Sequence, residues 1–250
     1  MTSDPIAQAR AILQEARSCV VLTGAGMSAE SGIPTFRDAL TGEWSKFDPM
    51  ALGTREGFKA DPPFVWRWYA ERRERAKNAQ PNAGHLALGG LERRYEPFAI
   101  VTQNVDGLHA RAGSTRVLEI HGSLARAKCF AECGVRLDAA ELPPGEPPTC
   151  PGCGSWLRPD VVWFGEYLDV GLVDEAVRLV SQCEVAVVVG TSGVVQPAAG
   201  MVEAAKHAGA KVIVVNPHPS ELDDLADVAI VDTAARTLPQ VFAGAVRART

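Results

Sequence analysis

The sequence predicts a doubly wound α/β domain interrupted by a smaller module, and three observations carry that prediction. Apolar runs bounded by glycine or proline alternate with helical patterns along most of the chain. The first of those runs ends in a glycine-rich turn, Gly24-Ala25-Gly26-Met27-Ser28-Ala29. Two stretches break the rhythm, from about Leu40 to Asn82 and from about Leu124 to Arg158, and the second contains four clustered cysteines. Both read as parts of one insert, so residues 1–39, 83–123 and 159–250 form the larger domain and residues 40–82 and 124–158 the smaller one.

Taken in order, Asp4 followed by Pro5 reads as an N-cap and first helical position, and Ile6, Ala9, Leu13 and Ala16 recur at helical spacing over about 13 residues. The run Cys19 to Thr23 is the first strand. Phe98 to Thr102, Val117 to Ile120, Val185 to Val189, Lys211 to Val215 and Val228 to Val231 read as buried parallel strands, because they are apolar without alternation. Helices are predicted over Asp174 to Gln182 and Pro197 to His207.

At 250 residues the chain is long enough to bury an independent core, and 46% apolar with 22% charged residues is ordinary for a folded protein. A net charge of -5 and a pI near 5.6 supply no global attraction to nucleic acid or to an anionic membrane. The start, Met1-Thr2-Ser3-Asp4-Pro5, lacks a basic region followed by an apolar run, and no stretch approaches the roughly 18 apolar residues of a membrane span. The expectation is a cytoplasmic protein with no specific nucleic-acid or membrane partner.

The glycine turn suits close approach of backbone N–H groups and a helix N-terminus to a pyrophosphate. A hydride-transfer enzyme would add an acid at the end of a second strand; the region Phe36-Arg37-Asp38-Ala39 is loop-like instead and carries an arginine. Cys129 and Cys133, separated by three residues, and Cys150 and Cys153, separated by two, offer four thiolates in two knuckles. That set suits one structural zinc ion with no position open to water. Cys19 and Cys183, inside apolar runs, read as small buried hydrophobes.

In open parallel sheets ligands bind beyond the carboxyl ends of the strands. Gln103, Asn104 and Asp106 follow one strand end, His121 another, Gly190-Thr191-Ser192 a third and Asn216 a fourth. Each residue alone reads as a turn or cap, but together they put polar groups along one edge. His121 titrates nearest neutrality and is the candidate base.

These residues resemble the sirtuin family of NAD-dependent protein lysine deacylases, from about Ser18 to Val241. The motifs carrying the resemblance run in order: the segment from Gly24 to Arg37, Thr102 to Asp106, His121-Gly122-Ser123, the four cysteines, Val161 to Glu166, Gly190-Thr191-Ser192 and Asn216. The resemblance implies a Rossmann-like large domain with a small zinc-ribbon and helical domain. It implies that Gly24, Ala25, Gly26, Ser28 and Glu30 line the cofactor loop, continued by Phe36 and Arg37. Gln103, Asn104 and Asp106 would hold the nicotinamide half of NAD, with Asn104 and Asp106 sharing the catalytic work of His121. Gly190, Thr191, Ser192, Asn216 and Ala234 would meet the phosphates and the adenosine half. Val161, Val162, Trp163, Phe164 and Gly165 would form the edge to which an acyl-lysine peptide adds as a strand.

The implied chemistry consumes NAD: nicotinamide departs, the acyl oxygen takes its place on the ribose, and His121 removes a ribose hydroxyl proton. That ribose oxygen then attacks the imidate, and water yields free lysine and O-acyl-ADP-ribose. Two departures from the family pattern touch peptide preference: Asp160 stands where many relatives have histidine, and the first cysteine spacer is one residue longer than usual.

On the helical pattern from Pro63 to Arg73, Val65, Tyr69, Arg72 and Ala76 share one line, with Trp68 broadening its apolar side. Arg72 either reaches solvent with its charged neighbours Arg67, Arg73 and Arg75 or awaits an anion. The Tyr69 and Arg72 spacing resembles the class III sirtuins, desuccinylases and deacetylases, in which the pair binds the acyl carboxylate. Two rivals stay open: mono-ADP-ribosyl transfer in the same pocket, and a noncatalytic NAD-binding or zinc-ribbon module.

Overall fold

The structure, a computed structural model, describes residues 4–34, 48–193 and 198–245. Its centre is a six-stranded parallel sheet in the order β3-β2-β1-β7-β8-β9. The strands are β1 (Cys19–Thr23), β2 (Phe98–Thr102), β3 (Val117–Glu119), β7 (Val185–Val189), β8 (Lys211–Asn216) and β9 (Val228–Val231). Every residue of β1, β2 and β7 is buried. Successive side chains point to opposite faces, so the unbroken apolar runs feed two cores. Val21, Ile100, Val187 and Ile213 pack against Ala9 and Leu13 of α1 (Pro5–Glu15) and Leu238 of the last helix, Ala234–Val241. Val20, Leu22, Val101, Val188 and Val214 pack on the other face against Leu179 and Met201, from helices Val170–Val180 and Ala198–His207.

The expected elements are present, with shifted ends. The first helix has 11 residues and stops at Glu15, because Ala16 turns extended. The helix expected over 174–182 runs Val170–Val180, since the Asp169 carboxylate accepts from the Leu172 N–H and caps it earlier. β3 ends at Glu119, and β8 continues through Asn216. The helix predicted from Pro197 is described from Ala198, and Pro197 lies outside the described residues.

A second, antiparallel sheet has the order β5-β4-β6, with β4 (Gly122–Cys129), β5 (Arg136–Asp138) and β6 (Leu157–Val161). Helix Pro62–Asn78 begins on the Asp61 cap with Pro62 at its first position, and its Trp66 indole donates to the Pro143 carbonyl at 2.8 Å. Its buried line, Val65, Tyr69 and Ala76, meets Phe58, Leu124, Phe130, Val161 and Trp163. β3 runs directly into β4 through Ile120 and His121, so the two sheets meet at one short span of chain. Gly122 there has φ +84°, and an added Cβ would run into the Asp160 carbonyl. Among the described residues no helix is long and apolar enough to cross a membrane.

Candidate active site

The carboxyl ends of β1, β2, β3, β7 and β8 lie along one edge of the parallel sheet, and their following residues build the site. The glycine turn packs directly on the β7 end. Gly24 N–H donates to Val189 O at 3.0 Å and Gly26 N–H to Gly190 O at 2.8 Å. A Cβ on Gly24 would lie 2.8 Å from Gly190 O, and one on Gly26 2.7 Å from Gly190 Cα. Part of the small-residue pattern therefore serves this interlock. The chain then continues as two 3₁₀ turns, Ala25–Met27 and Ala29–Ser31, where the fingerprint predicts the opening of an α-helix. Phe36 and Arg37 lie outside the described residues.

The two glycine- and amide-bearing segments meet at Ser28. Asn104 Nδ2 donates to Gly24 O at 3.0 Å and to Ser28 Oγ at 3.1 Å, and Ser28 Oγ donates to Asp106 Oδ2 at 2.7 Å. Asp106 Oδ1 accepts from the Leu108 N–H at 2.9 Å. Gln103 Nε2 reaches Thr191 Oγ1 at 3.1 Å, and Asn216 Nδ2 donates to Thr191 O at 2.9 Å, so three strand ends are tied together. Ser192 is exposed. Glu30 sits apart from this group: its carboxylate accepts from the Ala235 N–H at 2.9 Å, beside buried Ala234.

His121 stands at the joint between the sheets. Its Nδ1 lies 3.1 Å from the Gln103 carbonyl oxygen, which can only accept. Nδ1 therefore carries the hydrogen, and Nε2 is the ring's proton acceptor. Burial lowers the His121 pKa, with the Gln103 contact opposing it, which keeps the ring neutral near pH 7 and able to act as a base.

Two further histidines lie beneath the site, and sequence reasoning assigned neither. His85 Nδ1 accepts from the Asn82 N–H at 3.3 Å, and its Nε2 is 3.5 Å from Ser28 Oγ. His109 Nε2 is 3.0 Å from Thr23 Oγ1, which donates to Thr102 Oγ1. Burial pushes their pKa values down to about 4 and about 3, so both are neutral spacers at neutral pH. The Asn82 capping box was the available signal for His85.

Along the edge expected to meet a peptide, Val161 pairs with Gly122 and Val162 N–H donates to His121 O at 2.9 Å. Trp163 N–H donates to Glu166 Oε2 at 3.0 Å, and Phe164 N–H to Gly53 O at 2.8 Å. Gly165, at φ +82°, turns the chain away. Tyr69 is buried and accepts from Trp163 Nε1 at 2.9 Å. The Arg72 guanidinium lies 4.7 Å above the Trp68 ring, and Trp68 is edge-on to Tyr69.

The four cysteine sulfurs lie within 4.8 Å of one another, with Cys129–Cys153 at 3.4 Å and Cys133–Cys150 at 3.5 Å. Four thiolates about 2.3 Å from one zinc ion stand roughly 3.8 Å apart, so the set fits a structural zinc. A Cβ on Gly152 would press on Val135 at 2.7 Å, which explains that glycine between the second pair.

A model of the Sir2 family matches residues 24–197. The chain is 53% identical over 237 residues to an NAD-dependent protein deacylase of Ralstonia nicotianae, covering 95% of this chain and 96% of the relative. It is 52% identical over 217 residues to one of Aeropyrum pernix, covering 87% and 88%. Among solved structures, a Sir2 homolog–NAD complex superposes with TM-score 0.88 at 42% identity, covering 94% of this chain and 92% of that one. Sir2Af2 bound to a myristoylated histone peptide superposes with TM-score 0.77 at 38% identity, covering 96% of each.

Proposed function

The chain belongs to the Sir2 family and is an NAD-dependent protein deacylase, and we propose that it removes succinyl and malonyl groups from lysine at least as readily as acetyl. The observation carrying the acyl assignment is the wall formed by Trp68, Tyr69, Trp163 and Val161, against which Ile33 of the cofactor loop and Val105 of the Asn104–Asp106 turn also pack. Tyr69 is thereby packed in one cluster with residues of the segments that would carry the chemistry, and the Arg72 guanidinium lies close enough to feel the charge of Asp106, which supports the reading. Burial raises the Tyr69 pKa, so the phenol keeps its hydrogen. Burial lowers that of Arg72, with Tyr69 and Asp106 opposing, but a guanidinium stays charged at any working pH. A neutral donor and a shielded cation suit the far carboxylate of a dicarboxylic acyl group.

NAD supplies a ribose that exchanges nicotinamide for the acyl oxygen, and the glycine interlock, Ser28 and the strand-end amides fit a dinucleotide laid along this edge. In the proposed site Gly24, Ala25, Gly26, Ser28, Glu30, Phe36 and Arg37 line the cofactor loop. Gly190, Thr191, Ser192, Asn216 and Ala234 take the adenosine half. Gln103, Asn104 and Asp106 hold the nicotinamide end, and Ser28 keeps Asn104 and Asp106 in register. His121 takes a ribose hydroxyl proton on Nε2 while Gln103 O holds the ring by Nδ1. The deprotonated ribose oxygen attacks the imidate and one water is consumed, so the products are nicotinamide, free lysine and O-acyl-ADP-ribose. A peptide pairing along Val161–Gly165 draws on the carbonyl oxygens of that segment, because the N–H groups of Val162, Trp163 and Phe164 donate within the chain. Residues 40–82 and 124–158 make up the smaller domain that carries the zinc, with the acyl-lysine between it and the larger domain, in a cytoplasmic enzyme.

The deciding measurement is kcat/KM on acetyl- and succinyl-lysine versions of one peptide, for wild type and Arg72→Met. A charge-assisted contact in a shielded pocket is worth about 1.5 to 3 kcal/mol, so the succinyl-to-acetyl ratio should fall roughly 10- to 100-fold. An equal loss on both substrates would sink the acyl assignment. Mass spectrometry of the same mixtures should find O-acyl-ADP-ribose; ADP-ribose attached to protein instead would favour the transferase.

A further inference from the structure

The side chain of Trp163 is held by a buried ion pair. Arg158 is fully buried, its guanidinium lies 3.8 Å from the centre of the Trp163 ring, and its Nη2 donates to Glu166 Oε2 at 2.7 Å. The same Glu166 oxygen accepts from the Trp163 main-chain N–H at 3.0 Å, and Arg55 reaches the other oxygen at 3.4 Å. Arg158 Nε and Nη1 are buried with no hydrogen-bond partner, so this cation is stabilised by the indole face as well as by Glu166. Backbone and ring of Trp163 are thus gripped at once.

The fixed indole points its one donor at Tyr69. Trp163 Nε1–H donates to Tyr69 Oη at 2.9 Å, between two buried side chains. An indole nitrogen can only donate, so the phenol oxygen must accept, and its own hydrogen is directed elsewhere. A phenol fixed in that sense is a donor toward the pocket; a phenol free to rotate could equally offer its lone pair, which a carboxylate repels.

We propose that Trp163 is a specificity-determining positioning residue, which orients the Tyr69 hydroxyl as a donor to the carboxylate of a dicarboxylic acyl group and is itself held by the Arg158–Glu166 pair. The inference rests on the acyl assignment made above. It assigns to a side chain of the substrate edge a role that main-chain pairing with a peptide does not need.

The test is a double-substitution cycle read as the succinyl-to-acetyl ratio of kcat/KM. Trp163→Phe keeps a ring over Arg158 and removes the N–H. The ratio should fall roughly three- to tenfold, the range of one neutral hydrogen bond, chiefly through KM for the succinyl peptide. In a Tyr69→Phe background the same substitution should change the ratio by no more than about twofold, since its target is gone. If Trp163→Phe folds poorly, benzothienylalanine at this position removes the N–H from an isosteric ring. An unchanged ratio, or an equal fall with and without the Tyr69 hydroxyl, makes Trp163 a packing residue and overturns the inference. If wild type cleaves succinyl-lysine and Arg72→Met loses it selectively while Trp163→Phe does not, this inference alone fails. If wild type leaves succinyl-lysine uncut, the acyl assignment fails and this inference falls with it.

Discussion

The two sheets of this protein are stabilised by different physics. β1, β2 and β7 are apolar and buried along their whole length, between two helical layers. β4 is buried only in part and β5 is largely exposed, while β6, buried along its whole length, places charged side chains in the interior. Arg158 is fully buried, and the Asp160 carboxylate, 10% exposed, faces Arg126 at 3.2 Å, Arg136 at 3.4 Å and Lys128 at 3.7 Å. A six-stranded sheet covered on both faces needs only apolar area, whereas three short strands do not bury enough and depend on thiolates, a metal and ion pairs. The contrast predicts that the two halves respond to different perturbations.

Metal removal should have the largest effect. Structural zinc binding carries on the order of 10 kcal/mol or more, so chelation or Cys150→Ser should strip hydrogen-exchange protection from residues 122–161 while β1, β2 and β7 keep theirs. Simultaneous loss in both sheets would break the comparison. Next comes the converse, Leu22→Ala, which leaves a cavity in the parallel sheet and should cost about 2 to 5 kcal/mol in denaturant titration with zinc content unchanged.

Asp160→Asn should cost about 1 to 2 kcal/mol, since Arg126 and Arg136 are half exposed and already share their charge with water. That loss should shrink when Tm is measured in 1 M salt, where screening acts within about 3 Å.

Smallest is Asp227→Asn at the rim of the parallel sheet. Burial alone would raise the Asp227 pKa, but Lys206, the Val212 N–H and Lys211 together hold it at about 2. A lowered folded pKa gives stability above the unfolded carboxylate value near 4 and loses it as pH falls toward 2. Wild type and variant should therefore differ by about 1 kcal/mol at pH 7 and converge in acid, followed by circular dichroism.

The same division decided what the sequence could reveal. Apolar runs such as Val185 to Val189 and the spacing of the cysteines are one-dimensional signals, and they placed the parallel strands and the cysteine cluster but not β4, β5 and β6. The end of the helix at Glu15 and the start at Val170 were missed because single capping residues set them, Ala16 and Asp169. At the site, the residues Gln103, Asn104, Asp106 and His121 were legible as strand-end polar groups. Their coupling was not, since Ser28 joins Asn104 and Asp106 across 78 residues of chain to the latter. His85 and His109 have no assignment for a related reason: each reads alone as an ordinary core residue, and only the fold brings their rings, tilted, to 4.8 Å between centres. The grip of Arg158 on Trp163 has no linear signature.

The direct passage of β3 into β4 bears on how the cleft works. His121 occupies the one short span where both sheets share a strand line, and Gly122 beside it packs against the Asp160 main chain. In any rocking of the small sheet over the large one, displacement grows with distance from this pivot. His121 and Gly122, on that span, would move least. On the proposed reading, a base set at the pivot keeps its place while the smaller sheet shifts, so the geometry of proton removal is separated from any motion that admits the substrate.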